Sequence, residues 1–176
     1  MSSYKPQFAK RLLHPKYWMT WFWFALWRLV VFLPYPLLIY IGSAFGLLLY
    51  KLPTRRKRIA YKNIQMCFGD MNESQHKALL RANFANMGIA LMETGISWWW
   101  PSKRFKRLIT YRGLEHLHEL EGKPVIVFGI HHTTLEISAA AISSVTPVDG
   151  MYRPHKNPVY DFIQGRGRLN HGVEGC

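Results

Sequence analysis

The residue types best suited to acid–base chemistry lie in the segment HHTTLE, where four residues separate His131 from Glu136. A histidine side chain, with a pKa of about 6.5, can accept a proton from an attacking hydroxyl group near neutral pH. A neighbouring carboxylate can fix the imidazole tautomer and stabilise the imidazolium that forms. The pair therefore predicts a general base with an orienting carboxylate.

Glu136 also has a structural interpretation. Thr133 and Glu136 have the spacing of a capping box, in which the Thr side chain caps a helix and the Glu side chain bonds back to the cap amide. The spacing by itself leaves the catalytic and the capping role open.

The element that would position this pair is a short apolar run. Residues 124–130, PVIVFGI, are continuously apolar, which predicts a strand buried on both faces of a parallel sheet. The following residues, HHTTLEISAAAIS, read as a helix. Ligands of α/β sheets bind at the carboxyl ends of strands, and His131 lies at that end.

Arginines follow a second predicted strand, residues 148–152. Arg153 comes directly after it, and Asn157-Pro158 predicts a helix start. A guanidinium group at a strand end suits a phosphate or carboxylate, although a surface salt bridge is the open alternative. Near the end of this helix GRGR adds two cations, so the candidate substrate-binding residues are Arg153, Arg166 and Arg168.

The N-terminal region is apolar. Among residues 17–50 the only charged side chain is Arg28, and Pro34 and Pro36 divide the stretch. We expect helices at 16–33 and 37–51, the first of them a membrane helix; two buried helices of a soluble core are the alternative. The larger basic cluster follows this stretch, which places the downstream part in the cytoplasm.

The run RRKR at 55–58 predicts contact with anionic lipid, and a solvated basic face is the alternative. Further along, Asn72 and Gln75 have the spacing of an N-cap and its reciprocal partner, and the apolar periodicity after them predicts a helix over 73–97. Glu93 near its end is expected to be a solvated helix residue, and a catalytic role is the alternative.

Composition limits the class of partner. Lys and Arg exceed Asp and Glu, 23 against 10, which predicts an anionic partner such as phospholipid, a phosphorylated substrate or nucleic acid. Two cysteines exclude a disulfide framework and a cysteine-based zinc cluster, and they indicate a reducing, cytoplasmic setting.

Six segments together identify a family. The chain resembles the late acyltransferases of lipid A biosynthesis, the lauroyl and palmitoleoyl transferases. The resemblance covers about residues 10 to 170 and rests on LLHPKYW (12–18), LPYP (33–36), RRKRIAYKNIQMCF (55–68), LMETGISWWWP (91–101), GIHHTTLE (129–136) and YRPHKNP (152–158).

The resemblance implies a reaction and its site. It implies transfer of a fatty acyl group, laurate being the first choice, from acyl carrier protein to a hydroxyacyl hydroxyl group of the phosphorylated Kdo-lipid A precursor. His131 matches the family's catalytic histidine and Glu136 its acid, with His132 as second choice. Neither a cofactor nor a metal is implied, and anionic membrane phospholipid, not nucleic acid, is the further partner.

The implied architecture is α/β, with an N-terminal membrane helix followed by a truncated, glycerolipid-acyltransferase-like domain. We expect a membrane anchor region at 1–36 and a partial acyltransferase domain at 37–176 whose C-terminal half is missing, and we expect this fragment to be inactive by itself. The implied location is the bacterial inner membrane, single-pass or monotopic, with the catalytic domain on the cytoplasmic side. A glycerolipid acyltransferase and a non-catalytic basic membrane-binding protein are the alternatives.

Overall fold

The computed structural model describes residues 6–120, 122–151 and 153–172, and regular structure within them is helical. Two 3₁₀ turns, Lys10–Leu13 and Pro15–Tyr17, precede the first α-helix. The α-helices are α1 (Trp18–Val31), α2 (Tyr35–Lys51), α3 (Arg55–Cys67), α4 (Glu73–Trp99), α5 (Ser102–Lys106), α6 (Leu114–His118), α7 (Leu135–Ser143) and α8 (Pro158–Arg168).

A break between the first two helices is predicted at 34–36; the structure has it at 32–34, with Pro34 as the N-cap of α2 and Pro36 in the first turn of that helix. Proline has no backbone N–H, so carbonyl groups at the end of α1 lose their helical partners. Distant side chains replace those partners: Trp100 Nε1 donates to the Val31 carbonyl at 2.7 Å, and Arg104 donates to the carbonyls of the next two residues at 3.0 and 2.8 Å. The α1–α2 corner is thereby fixed to the segment that follows α4.

Helix α4 is the central element, and its predicted start is confirmed. Asn72 accepts from the Gln75 amide at 3.0 Å, while the Gln75 side chain accepts from the Asn72 amide at 2.8 Å. Both halves of a capping box are therefore present. The helix packs along α2, α3, α1, α7 and α8. Its buried residues Met92 and Ile96 join a core cluster to which α1, α2, α5 and α7 also contribute.

Glycines allow α2 and α4 to approach closely. A Cβ at Gly46 would lie 2.8 Å from the Phe84 carbonyl carbon, and one at Gly42 would lie 2.7 Å from the Gly88 carbonyl oxygen. A Cβ at Gly88 would in turn lie 2.7 Å from the Gly46 nitrogen. Because each neighbour is backbone, these contacts cannot be relieved by a side-chain rotation, and only glycine fits the crossing.

Helix α8 returns the chain to its N-terminus. Asn157 caps it by accepting from the Val159 and Tyr160 amides, as predicted, and its Nδ2 donates to Thr20 Oγ1 on α1 at 3.1 Å. A second apolar cluster joins α8 to α1 and to the first 3₁₀ turn; its buried members are Leu12, Phe24, Trp98, Val159, Phe162 and Ile163.

The predicted strand at 124–130 requires a correction. This segment forms no strand, and its side chains are exposed: Ile126 is 95% and Phe128 94% accessible. A strand is stabilised by a hydrogen-bonded neighbour, and no segment among residues 6–120, 122–151 and 153–172 supplies one. Residues 148–151 likewise form no strand, and Tyr152 lies outside the described residues. The α/β class therefore stays a prediction.

The described helices do not include one that is long and apolar enough by itself to cross a membrane. Helices α2 and α3 meet the length and composition test only as a pair, and they are bent by 95° relative to each other. Helix α1, within the predicted membrane segment 16–33, has 14 residues.

Candidate functional site

The site is built around the carboxylate of Glu136 in the first turn of α7. Trp98 Nε1 donates to Oε2 at 3.0 Å, and Arg168 Nε donates to the same oxygen at 3.2 Å. A second Arg168 nitrogen donates to Oε1, so the guanidinium group binds the carboxylate in a bidentate manner. The Glu136 side chain is 19% exposed, against 40% for that of Arg168. A half-enclosed carboxylate thus has three donors on its two oxygens.

These donors decide the charge of Glu136. Burial by itself would raise the pKa of the Glu136 carboxyl, because it disfavours the charged form. The hydrogen bonds from Arg168 and Trp98, together with the Arg168 charge, outweigh that effect and hold the pKa below its usual value. Glu136 is therefore an anion at neutral pH.

Three helices from distant parts of the chain meet at this carboxylate. Trp98 lies near the end of α4 and Arg168 is the last residue of α8. The preceding residue, Gly167, allows α8 to lie directly on the indole: a Cβ there would be 2.6 Å from Trp98 Cβ. Gly167 therefore allows α8 to pack closely against the end of α4, where its neighbour Arg168 binds Glu136.

The capping-box interpretation of Glu136 is wrong. Helix α7 begins at Leu135 with Thr134 as its N-cap, and no side chain caps it. The Glu136 carboxylate bonds to an indole and a guanidinium group, not to the Thr133 amide. Glu136 therefore contacts residues that are distant in the chain. The spacing of Thr133 and Glu136 gave no indication of these contacts.

The predicted base is close to Glu136 in the chain but is not hydrogen-bonded to it. Within the described part of the chain, His131 and His132 are exposed in the turn before α7, and neither ring bonds to the Glu136 carboxylate. The catalytic pair therefore stays a prediction.

The three predicted substrate-binding arginines differ in placement. Arg168 is bound to Glu136. Arg166 is exposed, with its guanidinium carbon 5.8 Å from the centre of the Phe162 ring. Arg153 is exposed and lies outside regular secondary structure. The structure thus brings only Arg168 to the carboxylate, and Trp98 is the site residue that sequence reasoning missed.

A second carboxylate, Glu93, corrects another expectation. It is buried on α4, not solvated, with 9% exposure, and the Tyr35 hydroxyl donates to its Oε1 at 3.2 Å. Its Oε2 is buried and has no partner within the described residues. Burial raises the pKa of the Glu93 carboxyl, and the Tyr35 bond only partly offsets this. The apolar residues around Glu93 fit a helix in a protein core as well as a helix at a membrane interface. The sequence therefore did not show that Glu93 would be buried.

No three His, Cys, Asp or Glu side chains of the described chain are grouped so that they could hold a metal ion.

Comparison with known proteins supplies the family. The family model for bacterial lipid A biosynthesis acyltransferases matches residues 5–174. A lipid A biosynthesis acyltransferase of Haemophilus influenzae is 40% identical over 166 residues, which are 93% of this chain and 53% of the relative. The lipid A biosynthesis lauroyltransferase of Escherichia coli is 38% identical, and the palmitoleoyltransferase 34%, each over 93% of this chain and 54% of the relative.

No solved structure matches the chain. The chain spans about half the length of the curated relatives it matches. The family match nevertheless covers nearly all of the chain, including the segment that carries His131 and Glu136. The chain belongs to the bacterial lipid A biosynthesis acyltransferase family.

Proposed function

We propose that this chain carries the acyl-transfer residues of a lipid A acyltransferase. The acyl donor is acyl carrier protein, and the acceptor is a hydroxyacyl hydroxyl group of the phosphorylated Kdo-lipid A precursor. Laurate is the proposed acyl group, because the Escherichia coli relative that is 38% identical is a lauroyltransferase. The net charge of +13 suits two anionic partners, an acidic carrier protein and a phosphorylated glycolipid.

In the proposed mechanism, His131 takes the proton of the acceptor hydroxyl group as that oxygen attacks the acyl carbonyl carbon. The bond to the carrier sulfur then breaks, and the imidazolium returns the proton to the leaving thiolate. Glu136 orients the imidazole and stabilises its cation. Arg168 and Trp98 keep Glu136 charged and in place, while Arg153 and Arg166 bind anionic groups of the substrate.

The observation that carries this proposal is the state of Glu136. A carboxylate that only capped a helix would bond to backbone amides, whereas this one is held as an anion by an indole and a guanidinium group from two other helices. A carboxylate held as an anion could orient the imidazole of His131, five positions earlier in the chain, and stabilise its cation.

The test is a chimera, because the chain spans about half of its relatives. Residues 6–171 of this chain replace the matching segment of the Escherichia coli lauroyltransferase, whose remaining half is kept. Transfer of radiolabelled laurate from acyl carrier protein to the purified precursor is then measured. We expect activity in the chimera and its loss in Glu136→Gln. A folded chimera that binds lipid vesicles but transfers no laurate would favour the non-catalytic membrane-binding alternative.

We further propose that the chain attaches to the cytoplasmic face of the bacterial inner membrane through α1, as a monotopic protein. At about 1.5 Å per residue α1 is about 21 Å long, shorter than a hydrocarbon core of about 30 Å. One face of the helix is nevertheless apolar and exposed, which suits a helix lying in the interface. That face consists of Trp18, Met19, Phe22, Trp23, Leu26 and Leu29.

We also propose the α/β architecture, because further apolar side chains are exposed in the segment 124–130. Five apolar side chains of residues 124–130 are more than 40% exposed, an arrangement that costs free energy in water. Pairing with neighbouring strands would bury them and would place His131 at a strand end.

A further inference from the structure

A cavity of about 460 Å³ lies between the N-terminal 3₁₀ turns and the start of α8. It is separate from the Glu136 site. Its lining is basic and aromatic, and no acidic side chain belongs to it: the residues are Arg11, His14, Lys16, Tyr17, Lys156 and Pro158. A neighbouring smaller cavity, which shares Arg11, includes Asp161.

Buried neighbours hold both walls of this cavity in place. On one wall, Leu12 is 3% exposed and fixes the first 3₁₀ turn; on the other, Val159 is fully buried. The two walls are joined by the Asn157–Thr20 hydrogen bond, which connects residues 137 positions apart in the chain. The convergence of cations on this cavity therefore follows from the packing of the fold.

The turn that carries Lys156 is also ordered internally. The His155 amide donates to Asp161 Oδ1 at 2.8 Å, and the Asn157 amide donates to His155 Nδ1 at 3.0 Å. On the opposite wall, the Lys16 ammonium lies 4.8 Å from the centre of the Tyr17 ring. Both lysines therefore project from backbone that is already constrained, which lowers the entropy that an arriving ligand must restrict.

The charge of the cavity indicates its ligand. Three permanent cations face it, and within the described residues none of them forms an ion pair with a carboxylate. Like charges brought to one cavity repel unless an anion lies among them. A phosphate monoester has about −1.5 to −2 charges near neutral pH and three acceptor oxygens, so it matches three cations better than a singly charged diester does.

The surroundings indicate where the phosphate comes from. Trp18, which directly follows the cavity residue Tyr17, is 64% exposed, and Met19 and Phe22 continue the apolar face of α1. A phosphate in the cavity would therefore lie beside surface suited to hydrocarbon. We propose that this cavity binds the phosphomonoester headgroup of a membrane lipid, with the lipid chains against α1. The choice of a membrane lipid as the source of the phosphate depends on the proposed membrane attachment. The preference of the cavity for a phosphate monoester does not.

The test uses the whole chain and vesicles of phosphatidylcholine that contain either phosphatidic acid or a carboxylate lipid at equal surface charge. Co-sedimentation measures binding. The cavity variant is Arg11→Gln, Lys16→Gln, Lys156→Gln. Its matched control is Lys103→Gln, Arg107→Gln, Arg112→Gln, three exposed cations outside both the cavity and the run at 55–58, which removes the same charge. Circular dichroism checks that both variants remain folded. If the triple cavity variant does not fold, Lys156→Gln alone is used in its place.

We expect the cavity variant to bind phosphatidic acid vesicles at least about tenfold more weakly than the control does, the scale of one charged hydrogen bond. On carboxylate vesicles the two variants should behave alike. Equal losses on phosphatidic acid would overturn the proposal, because surface charge alone would then explain binding. Inorganic phosphate that binds the unaltered chain as tightly as the vesicles do would overturn the lipid source. Failure of the unaltered chain to bind any vesicle would overturn both this proposal and the proposed membrane attachment, whereas equal losses in the two variants overturn this proposal alone.

Discussion

Both carboxylate oxygens of Glu136 accept hydrogen bonds from other helices. A substitution of Glu136 should therefore affect stability as well as activity. Arg168 and Trp98 hold the carboxylate at the junction of three helices, so Glu136 contributes to packing as well as to the proposed chemistry. Removing it would break the ion pair with Arg168 and leave the buried indole N–H of Trp98 without its Glu136 acceptor. Activity and stability must therefore be measured in the same variants.

The residue-scale prediction concerns His131 and Glu136 in the chimera. General-base catalysis contributes about 10²–10⁴-fold in rate, so His131→Ala and Glu136→Ala should each lose at least that much activity. The double variant should lose little more than either single one, because the pair acts as a unit. Laurate transfer under single-turnover conditions measures this.

Stability separates the two single variants. His131 is exposed, so His131→Ala should leave thermal unfolding almost unchanged. Glu136→Ala should lower the free energy of unfolding by about 1–3 kcal/mol, the cost of leaving the buried Trp98 N–H without its acceptor. If Glu136→Gln kept full activity, the carboxylate charge would have no part in catalysis.

At the scale of elements, the α2–α4 crossing is the contact least able to change. Gly46→Ala would place a methyl group against the Phe84 carbonyl and 3.0 Å from Ala85 Cα. We expect a loss of about 1–3 kcal/mol in the free energy of unfolding, because the strain of overpacking exceeds the gain in helix propensity. Urea denaturation measures it. Gly69→Ala is the control, since no atom lies within 4 Å of a Cβ there. An unchanged midpoint for Gly46→Ala would mean that the helices can separate freely.

The apolar face of α1 gives a prediction about membranes. Trp18→Ser, Phe22→Ser, Trp23→Ser should release the chain from carbonate-washed membranes, because these exposed side chains supply the interfacial contact. The unaltered chain should stay in the membrane pellet, and immunoblotting of the two fractions measures the distribution.

A matched control separates α1 from apolar exposure in general. Ile126→Ser, Phe128→Ser, Ile130→Ser removes three other exposed apolar side chains and should leave the chain in the pellet. Release of the unaltered chain by carbonate would show that attachment is electrostatic, and the anchor proposal would be wrong.

Elements that depend on local signals could be predicted from the sequence. The starts of α4 and α8 follow from Asn72 and Asn157, whose side chains cap amides two or three residues away. The presence of a corner after α1 follows from the two prolines, although Pro36 lies inside α2 and only Pro34 stands in the corner itself.

What depends on distant contacts could not be predicted. The exposure of residues 124–130 reflects whether a neighbouring strand is present, which the run itself does not specify. Trp98 reaches Glu136 across 38 positions, and no local spacing indicates that contact. Arg168 was predicted as an anion-binding residue, and the anion it contacts is this chain's own carboxylate.

For the molecule as a whole, stability should depend on the charge of His171. Its ring is 3% exposed and stacks on Phe105 with 4.1 Å between ring centres. Burial lowers the pKa of His171, and the nearby Lys106 charge lowers it further. The unfolded chain, with a histidine pKa of about 6.5, therefore binds the proton more readily than the folded one. The contribution of His171 is fully present above about pH 6.5 and is lost as the pH falls below it.

Urea denaturation between mildly alkaline and mildly acidic pH measures this effect. Glu93 acts in the opposite direction, because its raised pKa favours the folded state as the pH falls. The unaltered chain is therefore compared with His171→Gln, because Glu93 contributes equally to the stability of both proteins. The difference in unfolding free energy should shrink as the pH falls below about 6.5. A difference that is constant over this range would contradict a buried, neutral His171.

The placement of Arg168 on the last described helix has a consequence for biosynthesis. During translation, which adds about 5–20 residues per second, α2 and α4 emerge early and can pair while later residues are still being added. The carboxylate of Glu136 and the indole of Trp98 then emerge before their guanidinium partner, 32 positions after Glu136. Until α8 leaves the ribosome, the nascent chain has a core but lacks the Arg168–Glu136 pair, so a ribosome stalled before residue 168 holds a protein without its proposed site.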